Sequence, residues 1–596
     1  MNHAGEGPWR IASALVRIGR SWRRRGLRRT LQRSIHELRD LAFTLHRGAS
    51  PYESWLAERS KARLEMLGEE DLRGPTISIL MPVCDPEPRW LEAAIQSVVA
   101  QVYPEWQLCV VNDSSGDPRI APLLFEWSLR DPRIEVADNR QRLGISRASN
   151  RALAAARGEY VALLDHDDTL SPDALALVAR SAREAPFDIL YTDEDKIDRR
   201  GRLLDPTFKP ARSPELLRSC MYFGHLCVYR RDLLSGLGGF DPRFDGSQDH
   251  DLALRAEARA ERVVHLPEVL YHWRMAPGSA ADPVGNAKPW AYAAGRRAIE
   301  ADLERQGERA RVVDGVARGH SRIVRSVPSG HSVSILYCNC CVRPGSVESV
   351  AGTPPGVSVE WIEINRMLEP AVGAIGRRWN AAAAQASGDV LIFLAGACPR
   401  KAARSEDWAA WIGELVSQAM RRPIGAVGVR LSSPRGALLH MGVVLGGDEF
   451  VRTGPPDLQR DEPGPLCLAQ SLREVAAVTG GCLAVRHHVF DELGGFDPCY
   501  ETAFHDVDFC LRVRATGLSV LYDPFAECEK VEWHVDGPGL GSGSSGRLGR
   551  PRPDHVDLAR LRERWQSQLG ERDPYFNPNF HQRGSLFVPA FRPCSG

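Results

Sequence analysis

The stretch Gly158-Glu159-Tyr160-Val161-Ala162-Leu163-Leu164-Asp165-His166-Asp167-Asp168 decides how the chain is read, because a short apolar run ends abruptly in a polar, acidic turn. An apolar run of that length bounded by turn residues is the pattern of a strand buried on both faces. Ser171-Pro172 then offers an N-cap and a first-turn proline for a following helix. The same alternation repeats upstream, with a strand over residues 76–83, helical periodicity over 90–101, a strand over Trp106–Asn112 and a helix near 146–156. Alternating βα units predict an α/β fold with a mainly parallel, Rossmann-like sheet. Ligands of such sheets lie outside the carboxyl ends of the strands, where the aspartate cluster stands.

The 596 residues, 43% hydrophobic and 26% charged, have globular composition and room for two to four domains. Lys plus Arg and Asp plus Glu both number 76, so overall charge attracts neither nucleic acid nor an acidic substrate. The 14 cysteines show no repeated pair spacing and the N-terminus has no signal-peptide pattern, which predicts a cytoplasmic setting. The longest apolar run, residues 390–397, is strand-sized and far short of the roughly 20 residues of a membrane span. Residues 9–47 are different: Arg17, Arg20, Arg23, Arg24, Arg25, Arg28, Arg29 and Arg33 interleave with Ile11, Leu15, Trp22, Leu27 and Leu31 at roughly helical spacing. A basic amphipathic helix of this kind suits an anionic membrane surface, here the inner face of the plasma membrane, and equally a solvated helix packed on the body of the protein.

An internal repeat sets the domain plan. Ile77-Ser78-Ile79-Leu80 returns as Val333-Ser334-Ile335-Leu336, and Gly238-Gly239-Phe240-Asp241-Pro242 as Gly494-Gly495-Phe496-Asp497-Pro498. Asp249-His250-Asp251 and Arg255 likewise return as Asp506-Val507-Asp508 and Arg512. The first two of these segments are displaced by 256 positions and the third by 257, but Asn150 and its counterpart Asn380 by 230, so the second copy is 26 residues shorter early on. The missing part is expected to be much of the first helix and the second βα unit. The predicted plan is a basic helical segment over 1–73, a first α/β domain over 74–325, a second over 331–536, and a flexible linker with a C-terminal helix and tail over 537–596.

Carboxylates one residue apart on a turn, such as Asp165 and Asp167, present oxygens that hard cations such as Mg²⁺ and Mn²⁺ prefer, alongside substrate phosphates. Helix capping is the other explanation of such a turn. Asp249, just before a helix expected to begin near Asp251, is placed for general base work or as a helix N-terminal anion, and Asp251 with Arg255 forms an i,i+4 pair. No G-x-G-x-x-G follows an early strand, which disfavours a dehydrogenase. Residues 81–89 lack glycine and so the phosphate loop of a nucleotidyltransferase.

The ordered set Met81-Pro82-Val83-Cys84-Asp85, Val111-Asn112-Asp113-Ser114-Ser115, Gly144-Ile145-Ser146-Arg147, Leu164-Asp165-His166-Asp167-Asp168, Tyr191-Thr192-Asp193-Glu194-Asp195-Lys196, Phe208-Lys209-Pro210, Gln248-Asp249 and Tyr271-His272-Trp273-Arg274 resembles inverting family 2 glycosyltransferases of the GT-A fold, in particular the tandem-domain type of bacterial O-antigen and surface-polysaccharide synthesis. The tail Asp573-Pro574-Tyr575-Phe576-Asn577-Pro578-Asn579 resembles the ending of that subgroup. The resemblance implies transfer of a sugar, with rhamnose as a family-level expectation, from a nucleoside-diphosphate sugar to a glycan or lipid-linked glycan, with a divalent metal (Mn²⁺ or Mg²⁺) as cofactor. Carried over residue by residue, it implies that Asp113, Pro82, Val83 and Asp85 line the nucleobase pocket and that Arg147 stands near the nucleotide. Asp165 meets the ribose and the metal shell, Asp167 is the direct metal ligand, His272 approaches metal or diphosphate, and Asp249 is the catalytic base. Each has a plainer reading: Asp113 as the cap of the turn it opens, Arg147 as a surface arginine, His272 as a core histidine. Asp193, Glu194 and Asp195 either contact the acceptor or cap a loop.

The second copy loses these residues. Ala395-Gly396-Ala397-Cys398 stands where Asp165 to Asp168 stand in the first, and Asn365-Arg366 where Asn112-Asp113 stand, which predicts a degenerate pseudo-enzyme domain. Cys338, Cys340 and Cys341 are read as strand cysteines, because zinc sites use wider spacing and a second ligand pair. A non-catalytic scaffold of a polysaccharide assembly complex and a sugar nucleotidyltransferase are the competing functions.

Overall fold

In a computed structural model of the protein, the described residues are 50–275, 289–338, 352–364, 375–400, 404–447, 450–455, 458–530, 555–569, 572–581 and 586–591. Residues 1–49 of the basic segment, Cys340, Cys341, Asn365, Arg366 and the linker 537–549 lie outside them. Among the described residues no helix is long and apolar enough to cross a membrane.

The first sheet contains Ile77–Val83 (β1), Trp106–Asn112 (β2), Ile134–Asp138 (β3), Tyr160–Leu163 (β4), Thr169–Leu170 (β5), Ile189–Ile197 (β6), Leu203–Thr207 (β7), Cys227–Arg230 (β8) and Val263–Arg274 (β9). Their order is β3-β2-β1-β4-β8-β6-β9-β5, with β7 paired to β6. Strand alternation sorts β1 between two layers: Ile77, Ile79, Met81 and Val83 pack with the helices Pro88–Val99 and Ala174–Glu184, whereas Leu80 packs with Ala148 and Ala152 of the helix Ile145–Ala155. The sheet is mixed rather than mainly parallel. β1 runs parallel to β2 and β4, and β6 to β9, but β8 is antiparallel to both β4 and β6. After β6 the chain doubles back through the β7 hairpin and the helix Pro214–Ser219, so β8 enters from the opposite end.

Two further corrections concern helix starts. The helix after the aspartate cluster begins at Ala174, with Asp173 in the N-cap position, because Pro172 sits in a turn whose carbonyl accepts from Val102 N (3.0 Å). The helix Gln248–Glu257 begins three residues before Asp251, which places Asp249 in its first turn. The helix Ile120–Arg130 and β3 were not foreseen.

A hairpin of Ala310–Asp314 (β10) and Ser321–Arg325 (β11) precedes the second sheet. That sheet holds His331–Cys338 (β12), Val357–Ile364 (β13), Val390–Leu394 (β14), Ala397–Pro399 (β15), Ile424–Ser432 (β16), Leu438–His440 (β17), Arg473–Glu474 (β20), Cys482–Arg486 (β21) and Ser519–Lys530 (β22); Val443–Gly446 (β18) and Phe450–Thr453 (β19) pair separately. Its order, β13-β12-β14-β21-β16-β22-β15, matches that of the first sheet with no counterpart of β3 among the described residues. Among the described residues the unit without a counterpart is therefore the edge unit, while β13 retains the place of β2.

The sequence repeats are hydrogen-bonded repeats. Ser78 Oγ accepts from Gly158 N and Ser334 Oγ from Gly388 N, both at 2.8 Å, and a Cβ on either glycine would fall inside the neighbouring backbone. Asn150 exchanges two bonds with the backbone of Phe240 (2.8 and 2.8 Å), and Asn380 does the same with Phe496 (2.8 and 2.9 Å). Arg255 pairs with Asp251 and donates to Leu237 O and Gly239 O, just as Arg512 pairs with Asp508 and donates to Leu493 O and Gly495 O.

The halves share one apolar cluster that holds Tyr191 and Leu216 together with Val475 and Tyr522. Beside it, the buried Glu215 accepts from Arg325 (2.8 Å) and Arg421 (2.6 Å), and the Ser213 hydroxyl donates to Glu474. The C-terminal segment returns to the first half, where Phe576 and Phe580 are buried against Phe208, Tyr52 and Leu56. Burying each phenyl ring contributes about 2 kcal/mol.

Candidate active site

A cavity of about 1710 Å³ opens at the carboxyl ends of β1 and β4. Seven of the predicted site residues line it: Pro82, Val83, Asp85, Asp113, Asp165, Asp167 and Asp249. Arg147 and His272 are not among the lining residues. Arg147 is exposed on the first turn of its helix and donates to Leu143 O (3.2 Å). His272 meets Asp195 Oδ1 through Nδ1 (2.6 Å) on the other side of β9.

The aspartate cluster divides its work. Asp168 is fully buried, accepting from Tyr271 OH (2.6 Å) and Arg274 N (2.7 Å), which ties the turn to β9. Tyr271 OH also accepts from Asp165 N (3.2 Å). With its last residue anchored, the turn offers Asp165 and Asp167 to the cavity. Burial pushes the Asp167 carboxyl above the usual carboxylate range, and the neighbouring Asp165 charge adds to that while His166 opposes it. Burial, with Asp167 and Asp165 beside it, raises Asp168 further still.

At the other end Asp113 is buried and accepts from Asn139 Nδ2 (2.7 Å), Leu143 N (2.8 Å) and Gly144 N (2.9 Å), so it holds the loop that leads into the helix Ile145–Ala155. It does not cap the turn it opens; Asn112 Oδ1 does, accepting from Ser115 N (3.1 Å). Asp85 accepts from Gly116 N (2.6 Å) and pairs with Arg142, closing the loops over Pro82 and Val83.

Asp249 and Asp251 stand two residues apart on one helix and have opposite situations. Asp251 is buried and paired with Arg255. Asp249 is half-buried on the cavity wall, and among the described residues its carboxylate accepts no hydrogen bond. A carboxylate with free lone pairs at a cavity wall is available as a base.

Glu194, His225, Asp245 and Trp290 also line the cavity. Glu194 accepts from Lys209 Nζ (3.0 Å) and His225 N (2.6 Å); burial works against its charge, but Lys209 and His225 outweigh it and hold the carboxyl down at about 2. His225 lies 4.0 Å from Asp165 and stacks on Tyr271. Burial opposes its charge, yet Glu194, Asp165 and Asp168 lift it to about 9. Asp245 accepts from Ser146 N (3.3 Å) and its hydroxyl. The far wall is the β10–β11 turn with Leu466 of the second half. Glu194 was legible as one of three acidic residues without a decided role; strand alternation separates it from Asp193 and Asp195. His225 and Asp245 sit in irregular segments, where periodicity carries no signal.

Fold and site together define an α/β domain with a carboxylate-lined cavity at its strand ends. Residues 78–238 match the family described as Glycosyl transferase family 2. Over 593 residues the chain is 33% identical to an uncharacterized protein of Sinorhizobium fredii, covering 92% of this chain and 63% of that one. Over 514 residues it is 35% identical to the O-antigen biosynthesis protein RfbC of Myxococcus xanthus, covering 79% and 38%. The chain thus spans less than two thirds of the length of these curated relatives. S. aureus TarS 1–349 in complex with UDP is 21% identical over 38% of this chain and 65% of that one, with a TM-score of 0.32. The match to that family covers residues 78–238, the part of the first half that carries the aspartate turn.

Proposed function

We propose that the protein transfers a sugar from a nucleoside-diphosphate sugar to a hydroxyl of a glycan or lipid-linked glycan, inverting the anomeric centre, in bacterial surface-polysaccharide synthesis. The observation that carries this reading is that Asp113, Asp165, Asp167 and Asp249 line one cavity while the Asp249 carboxylate is left unclaimed. The relative named for O-antigen biosynthesis supports the polysaccharide assignment.

In this reading the nucleobase lies between Asp85 and Asp113, the diphosphate toward Asp165 and Asp167, and the acceptor enters from the side of Trp290. At about 1710 Å³ the cavity exceeds the roughly 300–1,000 Å³ of a pocket for one small molecule, so it has room for both substrates. Asp249 takes the proton of the acceptor hydroxyl, whose oxygen attacks the anomeric carbon as the nucleoside diphosphate leaves from the opposite face. No covalent glycosyl-enzyme is formed. Base assistance of this kind typically contributes 10²–10⁴-fold.

Asp165 and Asp167 fit a divalent cation such as Mn²⁺ or Mg²⁺, because two carboxylates on one turn, both facing the cavity and one of them raised by burial and by its neighbour's charge, are hard oxygen donors. Bound there, the cation would offset the negative charge of the departing diphosphate. Arg147 and His272, outside the lining, have no contact in this scheme.

The catalytic unit is then 74–325, and 331–536 is a degenerate copy. It has Ala395 to Cys398 in place of the aspartate cluster, and Asp506, the counterpart of Asp249, is taken up by Gly480 N (2.6 Å) and Val507 N (2.9 Å). Screening the full-length protein with UDP-, dTDP- and GDP-sugars in Mn²⁺ tests the assignment. Release of one nucleoside diphosphate, accelerated by a surface-glycan acceptor, is expected; no release from any donor contradicts it.

A further inference from the structure

β6 and β9 run parallel, but their register slips twice in succession: Thr192 faces Leu266, Asp193 faces Val269 and Glu194 faces Tyr271. Between the pairs Tyr191–His265 and Asp195–His272, β9 takes seven steps where β6 takes four. This irregularity puts His265 and His272 on the same face, each against an aspartate of β6, and sends Glu194 with Trp273 to the cavity.

An irregularity of this kind interrupts the ladder, and the C-terminal segment supplies partners for it. Asn579 Nδ2 donates to Pro267 O (2.9 Å), within the slipped part of β9, and to Asp193 Oδ2 (3.0 Å). Asn577 Nδ2 donates to Asp193 Oδ1 and Oδ2 (3.0 and 2.8 Å) and to Lys209 O (2.9 Å). Asp193, Lys209, Asn577 and Asn579 are all at most 3% exposed, so the carboxylate relies on protein donors in place of water. Asp193 Oδ1 in turn accepts from Lys209 N (2.9 Å), and Lys209 Nζ reaches Glu194 (3.0 Å), Phe223 O (2.8 Å) and His225 O (2.7 Å). The tail is itself fastened to the second half, through Leu445 N to Asp573 Oδ2 (2.9 Å) and Arg452 Nη1 to His581 O (3.1 Å).

We propose that Asn577 and Asn579 are positioning residues: the C-terminal segment, held by the second half, clamps the β6–β9 irregularity and so fixes Glu194 and His225 in the cavity wall beside Asp165. The kinetic consequence rests on the sugar-transfer reading above; the clamp itself does not.

Hydrogen exchange on the full-length protein carrying Asn577→Ala or Asn579→Ala tests it. Exchange at the amides of Lys209, His225 and Leu226 is expected to rise at least about tenfold, with the amides of β1, β2 and β12 unchanged. The Mn²⁺ concentration for half-maximal nucleotide release should rise severalfold, which a smaller folded fraction does not produce. Unchanged exchange at those three amides, or a uniform rise through both sheets, overturns the proposal. Should the alanine variants fail to fold, the milder Asn579→Ser, which keeps a polar group but withdraws the amide donor from Pro267 O and Asp193, is expected to raise exchange at the same three amides severalfold, and unchanged exchange there counts against the clamp. If wild-type protein releases no nucleotide, the transferase reading falls and hydrogen exchange alone decides the clamp.

Discussion

Asp165, Asp167 and Asp168 share one turn, and only their partners distinguish them. The last is saturated by Tyr271 and Arg274, which leaves the first two turned to the cavity. Removing Asp167 should therefore remove a carboxylate proposed to hold the metal without unfastening the turn. Asp167→Ala is expected to lower Mn²⁺-dependent nucleotide release at least about a hundredfold with an unchanged melting temperature, and a release rate near wild type would contradict the assignment. The pair at i and i+2 was legible from spacing alone. Which aspartate anchors the turn was not, because that depends on Tyr271 and Arg274, more than a hundred residues downstream. Asp113 was legible as a candidate, and it lines the cavity, but its bonds to Asn139, Leu143 and Gly144 follow from where the next loop passes, which local sequence does not encode.

At the scale of elements, the repeated Asn-to-Phe backbone bonds pin a helix to the Gly-Gly-Phe turn in both halves. Asn150→Ala leaves the N–H and C=O of Phe240 without these partners, and about 2 kcal/mol of stability should go with them. Thermal unfolding should show a drop of several degrees; a superimposable melting curve would argue that the bond pair is incidental. Strand and helix identities near β1, β2 and β4 were legible because both faces of those strands are apolar. Strand direction was not: an antiparallel β8 and a parallel one have the same local pattern, and only the hairpin after β6 fixes the difference. β3, a short edge strand with partly exposed residues, has too little apolar alternation to register.

At the scale of the molecule, the two halves meet through buried charge. Glu474 takes a hydroxyl bond from Ser213 in the first half, and burial, reinforced by the charge of Glu215, raises its carboxyl to about 7. A carboxyl whose folded value lies above its unfolded value of about 4.5 favours the folded state only while protonated; that contribution is complete below about 4.5 and lost as pH rises through about 7. Glu474→Gln should thus flatten the loss of stability between pH 5 and 8 and be worth up to about 3 kcal/mol at pH 8. Equal pH dependence of unfolding in variant and wild type would show that Glu474 is not the buried acid concerned. The tail motif around Asn577 was visible in the sequence as a conspicuous segment, but its destination, 384 residues away on Asp193, emerges only from the folded chain.

The central claim is that Asp249 is the base of a sugar transfer, and the most direct measurement is nucleoside diphosphate release by Asp249→Asn in Mn²⁺ with the donor that wild-type protein accepts. The expected result is a loss of at least about a hundredfold in kcat, with the apparent donor KM within a few-fold of wild type and an unchanged melting temperature. Turnover within a few-fold of wild type would contradict the account.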